Sequence, residues 1–231
     1  MKKISVLIPA FNAAPYIVAA IESVKRQTYP VFEILVIDDG STDETESLLK
    51  DRDDIRYIRC DHQGVSYVRN RGIAEASGDW IAFIDADDLW TPDKLEKQIR
   101  YINDHPGRAI VFTQYKNFTD IPEDELSERQ KTVMQVTAYP CLVTALIKKS
   151  VFRKYGDFIL KYSYSEDTEW LKRLGFAGLD ISAQIEEELY LRRIHDSNTT
   201  AAHDSPGEGE WLALMAEAIR NAKKVKKDEP L

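Results

Sequence analysis

Through residue 90, short apolar runs at 4–8, 32–37, 55–59 and 80–84 alternate with stretches of helical periodicity. That alternation constrains the fold more than any other feature. Repeated strand–helix–strand units close on a parallel sheet with helices covering both faces. The helical stretches carry their own signatures. Ile17, Ala20, Ile21 and Val24 fall at i, i+3, i+4 and i+7 and mark one buried face. Pro15 suits the first turn of that helix, with Asn12 or a neighbour as its cap. Ser41 and Glu44 have capping-box spacing ahead of Leu48 and Leu49. Residues 64–76 read as a helix carrying Val65, Val68 and Ile73. Thr91 suits the cap of a fourth helix, with Pro92 at its start and Leu95, Ile99 and Ile102 inward. Residues 109–113 read as a fifth strand.

The pattern then loosens. Residues 118–135 are polar and rich in Glu, which suits a loop or short helices over a cleft. Apolar order resumes at 141–147, and Gly156 marks a turn. Residues 166–174 read as a short helix with Trp170, Leu171 and Leu174 inward. Residues 181–194 are strand-like around an acidic run. From Glu208 an amphipathic helix presents Trp211, Leu212, Met215 and Ile219 and finishes in KKVKK. The expected fold class is α/β: a mostly parallel central sheet with helices on both faces and a smaller, mixed C-terminal part.

Chemistry concentrates at GDWIAFIDADDLW, residues 78–90. Alternation along a strand sends Asp85 and Asp87 the same way from its end. Two carboxylates leaving a buried strand repel each other, unless the site opens to water or a cation lies between them. In open α/β sheets, ligands bind at the carboxyl ends of strands. The segment therefore reads as a site for Mg²⁺ or Mn²⁺ bridging a diphosphate, or as an acidic turn capping the helix near Pro92. Asp38 and Asp39 end their own strand similarly. A carboxylate there suits a nucleobase N–H or a ribose hydroxyl, although DDGST is also good turn chemistry.

Bulk properties exclude several classes. Thirty-one Lys and Arg against 39 Asp and Glu leave a formal net charge of −8, which argues against a nucleic-acid binder. The two cysteines, Cys60 and Cys141, lack zinc-ligand spacing and read as free thiols of a reducing cytosol. The apolar run at the N-terminus is too short for a signal peptide and breaks at Pro9. No segment has the length of a bilayer span. The expected location is cytoplasmic, or peripheral to a membrane through the basic C-terminal helix. The phosphate-binding patterns GxGxxG and GxxxxGK[ST] are missing, as is the hydrolase elbow GxSxG.

Four segments in order, VLIPAFN (6–12), VIDDGSTDET (36–45), QGVSYVRNRG (63–72) and FIDADD (83–88), resemble the motifs of family 2 glycosyltransferases of the GT-A fold. The resemblance is close over residues 4–113 and looser over 140–200. It implies a metal-dependent, inverting transfer from a nucleoside diphosphate sugar, UDP by default, to a hydroxyl of a glycan or lipid-linked acceptor. It implies that Pro9 and Asn12 lie in the loop flanking the nucleotide and that Asp39 contacts the base. Arg69 and Asn70 would shape the donor pocket. Asp85 and Asp87 would be the outer acids of the DXD motif, Asp87 on the Mn²⁺ or Mg²⁺ ion and Asp85 on ribose or metal. Glu166-Asp167 resembles the family's ED pair, with Asp167 as catalytic base. Arg193-Ile194-His195 resembles a late R-x-H segment, with His195 a second candidate metal ligand. The implied division is a nucleotide-sugar half (1–113), an acceptor and base half (114–200) and a helical extension (201–231). Two rivals remain: a nucleotidyltransferase, whose early Gly-rich segment is missing here, and a non-catalytic nucleotide-sugar-binding module.

Overall fold

The computed structural model describes residues 1–135, 141–162, 165–196, 198, 208–225 and 231. Eight strands, β1 (Ile4–Ala10), β2 (Glu33–Asp38), β3 (Arg56–Arg59), β4 (Trp80–Phe83), β5 (Leu89–Trp90), β6 (Ile110–Phe118), β7 (Leu146–Lys148) and β8 (Gln184–Arg193), form one sheet in the order β3-β2-β1-β4-β7-β6-β8-β5. β1 runs parallel to β2 and β4, and β2 parallel to β3. This is the expected product of successive crossovers. β7 then pairs antiparallel with both β4 and β6, β8 runs parallel to β6, and β5 closes the far edge antiparallel to β8. The sheet is mixed, with its irregular part in the C-terminal half, as the sequence led us to expect.

The apolar runs on β1, β2 and β4 are buried on both faces, so one sheet serves two cores. On one side, Ile17, Ile21 and Val24 of α1 (Ile17–Lys25), Leu49 of α2 (Thr45–Leu49) and Leu95, Ile99 and Ile102 of α4 (Lys94–Asp104) pack on the sheet. On the other lie Val68 and Ile73 of α3 (Val65–Glu75) with α6 (Ser150–Tyr155) and α7 (Glu166–Phe176). Trp170 and Leu174 of α7 are fully buried there. The polar stretch after β6 holds a 3₁₀ turn and α5 (Glu128–Met134), which starts from a complete Ser127–Gln130 capping box.

Several local expectations fail for identifiable reasons. Asn12 does not cap α1. The helix starts two residues beyond Pro15 at Ile17 without a side-chain cap, and Asn12 sits in the left-handed region at φ 49°. Ser41 does not cap α2, because its hydroxyl is spent on Asp38 at 2.6 Å. The strand at 109–113 continues to Phe118 along β8. The two-residue β5 and the short α6 had no periodicity to announce them. On α8 (Glu208–Ala222) the apolar stripe is turned around. Leu214 and Ala218 are buried, whereas Leu212 and Ile219 face solvent. The side chain of Trp211 and the end of KKVKK lie outside the described residues. Among the described residues, no helix is long and apolar enough to cross a membrane.

Candidate active site

Because β1, β2 and β4 are parallel, their carboxyl ends share one edge of the sheet, and the loops that follow lie side by side. Pro9 lies inside β1 rather than in the loop. The Leu7 carbonyl accepts from Ile84 toward β4, so Pro9 faces the same side two residues later, where β4 has already ended. Its missing N–H therefore costs no ladder bond. Asn12 ties the first loop to the second. Its N–H donates to Ser41 Oγ at 2.9 Å, and its Oδ1 accepts from Thr42 N at 2.8 Å.

The two acids after β2 divide their work. Asp38 is fully buried and accepts from Ser41 N, Ser41 Oγ and the Tyr57 hydroxyl, so it holds the turn. Asp39 accepts from Gln63 N at 2.8 Å and Gly64 N at 2.9 Å, at the start of α3, and pairs with His62 Nδ1 at 2.9 Å. The His62 ring stacks on Phe11 with centroids 4.5 Å apart. The loop after β1 reaches a partner of each acid: Phe11 stacks on His62, which pairs with Asp39, and Tyr16 on His195, which pairs with Asp87.

The 85–88 turn is pinned by β8. The Tyr190 hydroxyl donates to Asp88 Oδ2 at 2.6 Å and accepts from Asp85 N at 3.2 Å. Arg193 N donates to Asp88 Oδ1 at 2.7 Å, and Arg193 Nε to the Asp87 carbonyl at 2.9 Å. Arg193 also pairs with Asp120. Burial, reinforced by Asp87 and Asp85, pushes the Asp88 carboxyl well above the usual carboxylate range. Asp88 thus anchors the turn and leaves its neighbours free to project.

Asp85 and Asp87 take different partners. β4 ends at Phe83, so strand alternation no longer governs them. Asp87 turns to His195, Oδ2 to Nε2 at 2.9 Å, with Asn198 Nδ2 at 3.3 Å. The His195 ring stacks on Tyr16, centroids 4.7 Å apart. Asp85 turns instead to Arg69 Nη2 at 3.3 Å.

Arg69 is buried on α3. That helix lies so close to the sheet that a Cβ at Gly72 would come within 2.9 Å of Ile37. Its guanidinium pairs with Glu166 as well as Asp85, and lies 6.0 Å from the ring centroids of Phe83 and Phe158. Burial raises the Glu166 carboxyl, Arg69 draws it back, and Asp167 raises it again. The walls of the site push Asp85 up as well, against Arg69 and with help from Asp87 and Asp167. Asp167 itself lies in the first turn of α7, where Oδ1 accepts from Thr168 N at 2.7 Å. Asn70 is committed elsewhere. Its amide donates to the Phe158 carbonyl at 2.8 Å and accepts from Phe158 N at 2.9 Å, fixing the segment that leads to α7.

The residues suit a divalent cation held jointly with a ligand. Among the described residues, no group of three or more His, Cys, Asp or Glu side chains is arranged to hold a metal. Asp87 Oδ2 and His195 Nε2, 2.9 Å apart, do have the separation of adjacent ligands on an octahedral ion. Bonds of about 2.1 Å at right angles put neighbouring donors roughly 3.0 Å apart. Such ions commonly take one or two protein ligands and complete their shell with phosphate oxygens and water. Sequence reasoning missed Tyr190, Asp88, Tyr16 and Asn198. Each acts through a partner far along the chain, and no local pattern marks such a partner.

Comparison with known proteins gives the family and the fold. An uncharacterized glycosyltransferase of Rickettsia typhi is 31% identical over 214 residues, 85% of this chain and 65% of that protein, so this chain spans just under two thirds of its relative. The putative teichuronic acid biosynthesis glycosyltransferase TuaG of Bacillus subtilis is 36% identical over 118 residues, 48% of this chain and 46% of TuaG. In fold, the chain is similar to S. aureus TarS 1–349 crystallised with UDP-GlcNAc. The TM-score is 0.74 at 18% identity, over 98% of this chain and 68% of that one. The family model described as glycosyl transferase family 2 matches residues 5–163, a span that takes in the ends of β1, β2 and β4 and the Arg69 helix. With sequence and GT-A architecture in agreement, the chain belongs to glycosyl transferase family 2.

Proposed function

We propose that this protein transfers a sugar from a UDP-sugar to an acceptor hydroxyl, with inversion at the anomeric carbon and with Mn²⁺ or Mg²⁺. The observation that carries the reading is the double grip of Arg69 on Asp85 and Glu166. It joins the donor-side turn to the helix start that bears Asp167, although these segments are distant in sequence.

In this reading Asp39 accepts from the nucleobase, backed by the α3 amides that already orient it. Asp85 meets the ribose or the ion, steered by Arg69. Asp87 and His195 hold the ion. Asn12 and Pro9 shape the floor beneath the nucleotide, and Asn70 contributes by fixing Phe158. When bound, the ion supplies positive charge against the negative charge that develops on the departing diphosphate. Asp167 takes the proton of the acceptor hydroxyl as that oxygen attacks, since an alcohol of high pKa needs a base within reach. Residues 1–113 would bind the donor and 114–200 the acceptor, a glycan or lipid-linked intermediate. The UDP-GlcNAc complex of a protein with the same fold supports UDP as the nucleotide.

A thermal-shift screen of UDP-sugars with and without Mn²⁺ tests the proposal, because a ligand that binds only the folded state raises the midpoint. The expected result is a rise with at least one UDP-sugar that needs the metal. A flat response to every UDP-sugar at millimolar concentration would contradict it.

A further inference from the structure

A cavity of about 670 Å³ opens between α3, α6, α7 and α8, away from the strand-end edge. Its α7 wall is Arg173, six residues past Asp167 and so roughly 9 Å farther along the helix at 1.5 Å per residue. Lys149, Arg153, Lys154 and Lys224 line the cavity with Arg173, and the one carboxylate in the lining is Asp157. In a chain of net charge −8 this is a local reversal of sign. Arg173 is satisfied by Glu169 and by the carbonyls of Tyr155 and Asp157. Lys149 donates to the Ala76 carbonyl, and Lys224 Nζ donates to Asn221 Oδ1 at 3.4 Å. Arg153 and Lys154 meet no carboxylate among the described residues; the Lys154 ammonium lies 5.8 Å from the centroid of the Tyr155 ring. The cavity floor is apolar, formed by Ile73, Phe152 and Tyr155, the last two nearly fully buried.

From this arrangement we infer a second ligand site, separate from the donor site, that takes a phosphate-bearing group. Cations lining one cavity beside a low-dielectric floor repel one another, and a dianion with several acceptor oxygens relieves that repulsion through charge-assisted bonds. Arginine and lysine together suit phosphate, the guanidinium as a fork and the ammonium as a point charge. The cations come from α6 and its start and from Lys224 in the turn that follows α8, so a bound phosphate also fastens the end of the C-terminal helix to the body. Its source is a soluble phosphate ester or a lipid headgroup.

The test uses the full chain labelled with ¹⁵N, titrated with inorganic phosphate in the presence of saturating UDP to occupy the donor site. The amides of residues 149–157 and 221–225 are expected to shift and saturate. An Arg153→Ala, Lys154→Ala double variant, altered in the cavity lining, should bind phosphate at least tenfold more weakly with UDP binding unchanged. Sedimentation with vesicles of phosphatidylglycerol and phosphatidylcholine distinguishes the sources. Pelleting lost in the double variant identifies a lipid headgroup, and no pelleting with the shifts intact identifies a soluble phosphate ester. No shifts at tens of millimolar phosphate, or equal shifts in the double variant, would overturn the site while leaving the donor reading untouched.

Discussion

The Asp87 carboxylate and the His195 imidazole meet at 2.9 Å although 108 positions separate them in the chain. Tyr16 stacks on the imidazole and Arg193 holds the Asp87 carbonyl, so the pair is fixed from both sides. If the pair holds the ion, His195→Ala should weaken Mn²⁺ binding in the presence of UDP by about 10–100-fold, and Asp87→Asn by more. Calorimetric titration of Mn²⁺ into the UDP-saturated protein measures both. Unchanged affinity in both variants would remove the pair from the metal site.

Arg69→Met removes the cation that pairs with the buried Glu166 carboxylate. Breaking one side of a buried ion pair costs about 3–5 kcal/mol, because the remaining charge is left uncompensated. Glu166 would take up a proton to relieve the cost. Chemical denaturation should show a loss of that order, and Arg69→Met with Glu166→Gln should recover part of it. A double variant that is no more stable than the single would refute the coupling.

Tyr190→Phe deletes one hydroxyl that serves both Asp85 N and Asp88. A lost hydrogen bond to a buried acid costs about 1–3 kcal/mol. The 85–88 turn should loosen, so the Kd for UDP with Mn²⁺ should rise more than the Kd for UDP alone. Equal changes in the two would mean that Tyr190 supports the fold and not the turn.

Lys94 is fully buried against Trp90, with Nζ donating to Gln98 at 2.9 Å. Burial lowers its pKa from 10.5 to about 7. Between those values the unfolded chain keeps the proton and the folded protein lacks it. Stability therefore rises with pH across that window, by up to about 1.4 kcal/mol per unit. Lys94→Met should remove this slope. Its gain in Tm over wild type should be greatest at or below pH 7 and fade toward pH 10, as differential scanning calorimetry would record. A gain independent of pH would mean that Lys94 is not neutral in the fold.

Much of the strand-end edge was legible from sequence, because parallel strands write themselves as apolar runs and the acids at their ends stand in the open. Asp39, Asp85 and Asp87 are local in that sense. What sequence could not carry was the choice of partner. Alternation put Asp85 and Asp87 on one side, but β4 stops at Phe83, and the turn takes its shape from Tyr190 and Arg193 on a strand a hundred residues later. The α8 stripe misled for a related reason. Helical periodicity identifies an apolar face, but the partner decides which face is covered; α8 packs against α7 with Leu214 and Ala218 buried. The capping boxes make the same point in pairs. Ser127 and Gln130 form one with no competitor, whereas Ser41 loses its hydroxyl to Asp38.

The decisive quantity is the turnover of Asp167→Asn on the UDP-sugar selected by thermal shift, followed as release of UDP. Removing a general base lowers kcat by about 10²–10⁴-fold, and the Kd for the donor with Mn²⁺ should stay within twofold of wild type. Turnover as fast as the parent, with donor binding intact, would contradict Asp167 as the base.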